Sequence, residues 1–240
     1  MKLYVYCLVE KLDTLAVPVS GISGAPVELI RVEDFSLLVS DFDGDSPPPV
    51  TRENALLHDA VARSVLNETT PLPFRFGCVP TEAQLRSYIT SHRAALEAKL
   101  GDVRGCVEMS VKIISDPDKT DLTTTSQPAE DGPGARFLRE KQREILGSES
   151  RGAEAKQVAA WLKSQVGIYV RQEEVNLCPT EKLIVAAAHL VTREHVTKYR
   201  DHLAEVRKTR PELHFLISGP WPPYTFSNIE LEFKTRFGVS

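Results

Sequence analysis

The sequence predicts an α+β protein of two domains. Apolar, β-branched runs of strand length alternate with segments whose apolar residues recur at helical spacing. Between residues 116 and 134 the chain turns Asp/Thr/Ser/Pro/Gly-rich, with Leu122 as its only large apolar residue. Such a stretch buries too little to offset its ordering entropy and divides the chain. At 240 residues and 26.7 kDa, two small cores fit the length better than one large one. The expected division is a first domain over 1–115, a flexible linker or loop over 116–134 and a second domain over 135–240.

KLYVYCLVE, residues 2–10, is apolar and rich in β-branched and aromatic residues, as a central strand is. After a Gly/Pro/Ser loop from Val17 to Pro26, PVELIRV and FSLLVSDF read as a hairpin turning at Glu33-Asp34. Pro47, Pro48 and Pro49 then end all regularity. Thr51 to Leu66 has helical spacing at Ala55, Leu56, Ala60, Val61 and Val65. PLPFRFGCVP is extended and bracketed by prolines. Thr81 and Gln84 form a capping-box pattern opening a second helix. Its stripe of Leu85, Tyr88, Ile89, Leu96 and Leu100 runs to an expected stop at Gly101. RGCVEMSVKIIS alternates as a strand, with Val107, Met109, Val111 and Ile113 on one face.

The second half opens with two helical pieces, ARFLREKQREIL and AEAKQVAAWLKSQV, interrupted between Gly147 and Gly152. IYVRQEEVNL and KLIVAAAHLVT read as strands. Thr192 is placed to cap a helix through Val196, Tyr199, Leu203 and Val206 to Pro211. HFLISGPWPPYTF gives a last strand and a rigid Pro-rich turn, and no internal repeat is visible.

Composition narrows the function classes. The formal charge is −4, from 29 Lys+Arg against 33 Asp+Glu, which disfavours a nucleic-acid partner. No apolar run approaches the ~20 residues a membrane span needs, and LYVYCLV is too short and β-branched for a signal peptide. A cytosolic protein is expected. Cys7, Cys78, Cys106 and Cys178 form no CxxC; the first three sit in apolar surroundings and read as buried free thiols. No Cys or His pair has zinc-ligand spacing, so no metal and no cofactor are expected.

LLVSDFDGD is the sharpest enzyme-like signal. An apolar strand ending in D-x-D-G resembles the first motif of haloacid-dehalogenase-type phosphatases, where Asp41 and Asp43 would serve as nucleophile and general acid with Mg²⁺. Asp116 and Asp121 would supply the metal-binding acids. Asp45 stands where that family carries Thr, and a proline run replaces the helix start that would orient a phosphate. A calcium loop fails because Ser46 replaces the Gly and Arg52 the bidentate Glu. Neither GxGxxG nor GxxxxGK[ST] is present. The six histidines do not converge: His58 and His92 fall in polar helical surroundings, His189 and His214 in strands, and His195 and His202 two turns apart. Each reads as a satisfied or solvated histidine. No catalytic residue is assigned.

Two rigid motifs stand out instead, Pro71–Gly77 and Ser218–Phe226. Prolines fix their backbone, and Phe74, Phe76, Trp221 and Tyr224 bring large apolar faces at low entropy cost. These aromatics either plug the two cores or serve an interaction. In an extended segment Arg75 points to the face opposite Phe74 and Phe76, whereas Trp221 is expected to anchor the C-terminal turn in the core.

LYVYCLVE, LPFRFGCVPTEAQLRSYI, GCVEMSVKI, GARFLREKQREIL and GPWPPYTFSN occur in the order seen in the GvpF/GvpL family of gas vesicle proteins, which the chain resembles over essentially its whole length. G-P-W-P-P-Y after an apolar strand is the most specific block. Cys7 stands where glycine is common, and the 116–134 stretch is longer and more polar than usual. The resemblance implies a non-enzymatic accessory or minor structural protein of gas vesicle formation, located in the cytoplasm and with the vesicle. It implies as partners the hydrophobic major shell protein and other accessory vesicle proteins. It also implies an N-terminal domain like a modified ferredoxin fold and a second α+β domain. Partner contact is assigned to Phe74, Arg75, Phe76, Trp221, Pro222, Pro223 and Tyr224.

Overall fold

A computed structural model describes residues 1–15, 20–115, 133–177, 180, 182–227 and 229, with residues 133–148 described through their backbone. The chain is a mixed helix and strand protein with two four-stranded sheets. It divides into two compact units: Met1–Glu108 with Pro220–Ser240, and Met109–Gly219. The expected division at 116–134 differs from this one. The chain returns to the first unit at Pro220, and the first unit's sequence ends inside the strand that was expected to close it. Residues 116–132 lie outside the described residues, and Pro133 and Gly134 open a helix.

In the first unit, strands β1 (Lys2–Glu10), β2 (Glu28–Val32), β3 (Phe35–Phe42) and β4 (Leu72–Pro73) form a sheet of order β2-β3-β1-β4, with antiparallel pairing throughout. β1 is buried from Leu3 to Val9, as its unbroken apolar run requires. A bulge between Val5 and Cys7 breaks its register with β3. The Tyr6 hydroxyl reaches Ser40 Oγ (2.9 Å) and accepts from Ile22 N–H (2.7 Å). That close approach requires glycine at Gly21, where a Cβ would lie 1.9 Å from the hydroxyl. The hairpin turns at Glu33, which takes a φ of 55°. Between β1 and β2 the described residues contain one 3₁₀ turn, Ile22–Gly24, in place of the crossover helix of a ferredoxin-like unit.

Helix α1 (Arg52–Ser64) starts at Thr51, whose side chain accepts from Asn54 N–H. It buries His58, Val61 and Ala62, while Leu56 is 57% exposed. The buried stripe is therefore rotated from the expected one, because an imidazole occupies its centre. The Thr81–Gln84 capping box forms and opens α2 (Glu82–Ser91). The expected single helix breaks at His92, and α3 (Arg93–Val103) follows. Gly101 lies inside α3; the turn comes at Gly105, with φ of 70°. Leu85, Ile89, Leu96, Leu100 and Val103 are buried.

Strand β5 (Cys106–Ser115) passes from the first unit into the second. Helix α4 (Pro133–Val166) runs uninterrupted through 147–152. Glycine in a helix costs only about 1 kcal/mol relative to alanine, and no proline stands there to break the helix. Strands β6 (Val170–Leu177) and β7 (Leu183–Thr192), helix α5 (Val196–Val206) and strand β8 (Leu213–Trp221) complete the unit. The sheet order is β6-β7-β5-β8. Its core joins Met109, Val111 and Ile113 of β5 to Val158 and Leu162 of α4 and Tyr199 and Leu203 of α5. Thr192 gives no side-chain cap; a 3₁₀ turn over Arg193–His195 leads into α5 instead. The 3₁₀ turn Arg207–Thr209 ends the helix short of Pro211. After β8 the chain forms the short helix α6 (Tyr224–Ser227), back in the first unit.

Candidate interaction site

Pro71–Gly77 and the second motif from Pro220 onward meet in the first unit, and α1 knits them together. His58 Nε2 lies 3.1 Å from the Phe74 carbonyl, and His58 Nδ1 lies 3.0 Å from the Tyr4 hydroxyl. A carbonyl only accepts, so Nε2 carries the proton and Nδ1 accepts from the Tyr4 O–H. The Tyr4 oxygen in turn accepts from Gly77 N–H at 3.2 Å. One neutral imidazole and one phenol thus hold the 74–77 turn at both ends. Burial drives the His58 pKa down to about 4, which keeps that tautomer neutral, and it pushes Tyr4 and Tyr6 upward. Phe74 N–H also donates to the Tyr6 carbonyl (2.9 Å), and Phe74 bridges to Ile229.

The second motif is tied down as firmly. Tyr224, Phe226 and Ser227 N–H groups turn back onto the Pro222 and Pro223 carbonyls. Glu108 accepts from Thr225 N–H and from Thr225 Oγ1, each at 2.8 Å. Burial raises the Glu108 pKa, and these two bonds oppose that rise. Lys99 Nζ donates to the Ser227 carbonyl (3.0 Å), and Ser227 Oγ to the Pro73 carbonyl (3.4 Å). From α1, Asp59 accepts from the Tyr224 hydroxyl (3.4 Å) and pairs with Arg63. The Arg63 guanidinium lies 4.2 Å from the centroid of the Trp221 ring. Burial first, then the Asp59 carboxylate, raises the Tyr224 pKa.

The expected contact residues fall into two sets. Phe74, Pro222 and Pro223 are buried and serve as supports. Arg75 is exposed, Phe76 and Trp221 are half-buried, and Tyr224 is 36% exposed. The alternation of Arg75 against Phe74 and Phe76 matches the sequence expectation. Trp221 differs from it: the ring lies at the surface under Arg63 rather than in the core. The sequence reading missed His58, Asp59, Arg63, Tyr4 and Glu108. The i,i+4 pair Asp59/Arg63 was a visible signal, as was the placement of His58 three and four residues before Val61 and Ala62.

The D-x-D-G loop does not form an acidic centre. Asp41, Asp43 and Asp45 are exposed, and Lys2 Nζ donates to the Gly44 and Asp45 carbonyls (3.1 and 3.5 Å). Nothing in this geometry supports a phosphatase built on Asp41 and Asp43; Asp116 and Asp121 lie outside the described residues. Among the described residues no group of three or more His, Cys, Asp or Glu is arranged to hold a metal ion. Cys7 and Cys106 are buried free thiols and Cys78 is half-buried, with burial pushing the Cys78 thiol up to about 12. Cys178 lies outside the described residues.

The profile of the gas vesicle synthesis protein GvpL/GvpF family matches residues 2–228. The chain belongs to that family. It is 29% identical to gas vesicle protein F1 of Halobacterium salinarum, over 98% of this chain and 97% of the relative. It is 24% identical to gas vesicle protein L of a Streptomyces species, over 95% and 94%. The fold matches the crystal structure of GvpF from Anabaena sp. PCC7120, with a TM-score of 0.79, 21% identity and coverage of 95% and 97%. It also matches that of GvpF from Microcystis aeruginosa, with a TM-score of 0.75, 19% identity and coverage of 95% and 99%. The role of this GvpL/GvpF-family chain is gas-vesicle-related. No helix among the described residues is long and apolar enough to cross a membrane.

Proposed function

We propose that this chain is an accessory or minor structural protein of gas vesicle formation that binds the hydrophobic major shell protein during nucleation or assembly. One observation carries the reading: the Pro71–Gly77 and Trp221–Ser227 segments, far apart in sequence, are held in one unit by α1 and by Glu108. Rigid turns that display aromatic faces lose little entropy on binding an apolar partner. The contact surface consists of Arg75, Phe76, Trp221 and Tyr224, and Phe74, Pro222 and Pro223 hold its shape. The chemistry is that of recognition, with no reaction assigned.

Co-expression of the tagged chain with the shell protein tests this. The shell protein co-purifies with the wild type, and an Arg75→Glu/Tyr224→Ala variant that melts at the wild-type temperature loses it. Full recovery with that variant overturns the assignment of the surface.

A further inference from the structure

The second unit carries an open recess of about 520 Å³, lined by Ser110 and Lys112 of β5, Arg207 of the turn after α5, and Phe215, Leu216 and Ser218 of β8. β5 is an inner strand between β7 and β8, and β8 is the sheet edge. Val111 and Ile113 enter the core beneath the helices, so Ser110 and Lys112 face the other way. On β8, Phe215 and Ile217 pack against that core, which sets Leu216 and Ser218 on the face of Ser110 and Lys112. The recess is thus lined from both faces of β8, as an edge strand allows.

Its charge is one-sided. Lys112 and Arg207 are exposed, no acidic residue lines the recess, and among the described residues neither cation has a carboxylate partner. The acids closest to Arg207 in sequence are already engaged: Glu205 accepts from Lys208 Nζ (2.7 and 2.9 Å), and Glu212 pairs with Arg210. Lys112 is equally unmatched. Lysine is depleted from strands, and on β7 this face carries Ala186 and Ala188, which offer no counter-charge. Glu174 shares the face, opposite Ala188, but stands on β6, beyond β7.

We propose that this recess binds a phosphate ester. Lys112 and Arg207 take the phosphate, the Ser110 and Ser218 hydroxyls are further donors, and the organic part lies against Leu216, which is 57% exposed. Two cations from separate elements suit a tetrahedral oxyanion, whereas one guanidinium already satisfies a flat carboxylate. A volume of about 520 Å³ falls within the ~300–1,000 Å³ of small-molecule sites and exceeds what free phosphate fills. Side chains here supply the donors that backbone N–H groups supply in a glycine-rich phosphate loop, so the absence of GxGxxG and GxxxxGK[ST] is no obstacle. The lining residues all belong to the second unit, and the site stands whether or not the shell protein binds the first.

Isothermal titration calorimetry of the full chain with ADP, pyrophosphate, adenosine and succinate, without added metal, is the test. ADP binds more tightly than pyrophosphate, and adenosine and succinate do not bind. Raising the salt weakens ADP binding. Lys112→Ala and Arg207→Ala each weaken it roughly tenfold, and Lys112→Arg retains it. Lys156→Ala, at an exposed lysine of α4 outside the recess, leaves it unchanged. Circular dichroism melts check that each variant remains folded. Absence of ADP binding overturns the proposal, as does binding that neither recess variant changes or that Lys156→Ala weakens equally. Adenosine or succinate bound as tightly as ADP overturns the role of the phosphate, and pyrophosphate bound as tightly overturns that of the organic part.

Discussion

Replacing His58 removes the one group that bonds both the Phe74 carbonyl and the Tyr4 hydroxyl. In His58→Ala the Phe74 carbonyl is left buried without that donor, worth about 1–3 kcal/mol, and a cavity of imidazole size adds about 2 kcal/mol. The first unit should lose roughly 3–5 kcal/mol at neutral pH. The pH dependence is more diagnostic. The folded pKa of about 4 lies below the ordinary 6.5, so between those values the unfolded chain binds the extra proton. Stability contributed by the neutral ring is therefore complete above about pH 6.5 and falls as pH drops toward 4. Between about pH 7.5 and about pH 4.5 this one group removes about 2.5 kcal/mol. The assay is urea denaturation at both pH values, followed by tryptophan fluorescence. Of the two tryptophans, Trp221 belongs to the first unit and Trp161 to the second, so a Trp161→Phe background reports the first unit alone. His58→Ala should show a pH difference smaller than its parent's by about 2.5 kcal/mol. An unchanged difference would refute the buried neutral imidazole.

Three further outcomes follow from the same geometry. Trp221→Ala should cost about 2 kcal/mol, less than the 3–5 kcal/mol of a fully buried Trp, because the half-buried ring loses its Arg63 contact and part of its packing; thermal melts read this. Glu108→Gln keeps the shape but removes the charge that accepts from Thr225, and should cost about 1–2 kcal/mol in urea melts, with increased protease cutting after Tyr224. Asp41→Asn should leave stability within about 0.5 kcal/mol and vesicle formation unchanged, since Asp41 is exposed; a folded variant without vesicles would reopen the acidic loop as a functional element.

Local pattern accounts for much of the fold. The bounds of β1, the 33–34 hairpin turn and the Thr81–Gln84 capping box were legible because each depends on neighbours in sequence. The misses have a common cause. Gly101 and Gly147 read as breakers, yet glycine's helix penalty is small and tertiary packing overrides it. Thr192 read as a cap, but β7 leads into a 3₁₀ turn that leaves its side chain without that bond. The proline- and aromatic-rich motifs of the candidate site were visible in sequence. Their meeting in one unit was not, because it depends on Tyr4, His58, Asp59 and Glu108, which are distant in sequence and unremarkable in type. His58 sits on a helix with polar neighbours, and only the rotation of the buried stripe exposes its role.

The proposed docking of the shell protein where the two rigid motifs meet is open to a direct test. Site-specific photo-crosslinking tests it most directly, with a photoreactive amino acid placed at Tyr224 and, as control, at Ile168, which is 80% exposed in the second unit. During vesicle assembly in cells, a crosslink to the shell protein is expected from position 224 and none from 168. A crosslink from 168 with none from 224, in a chain that still supports vesicles, would contradict it.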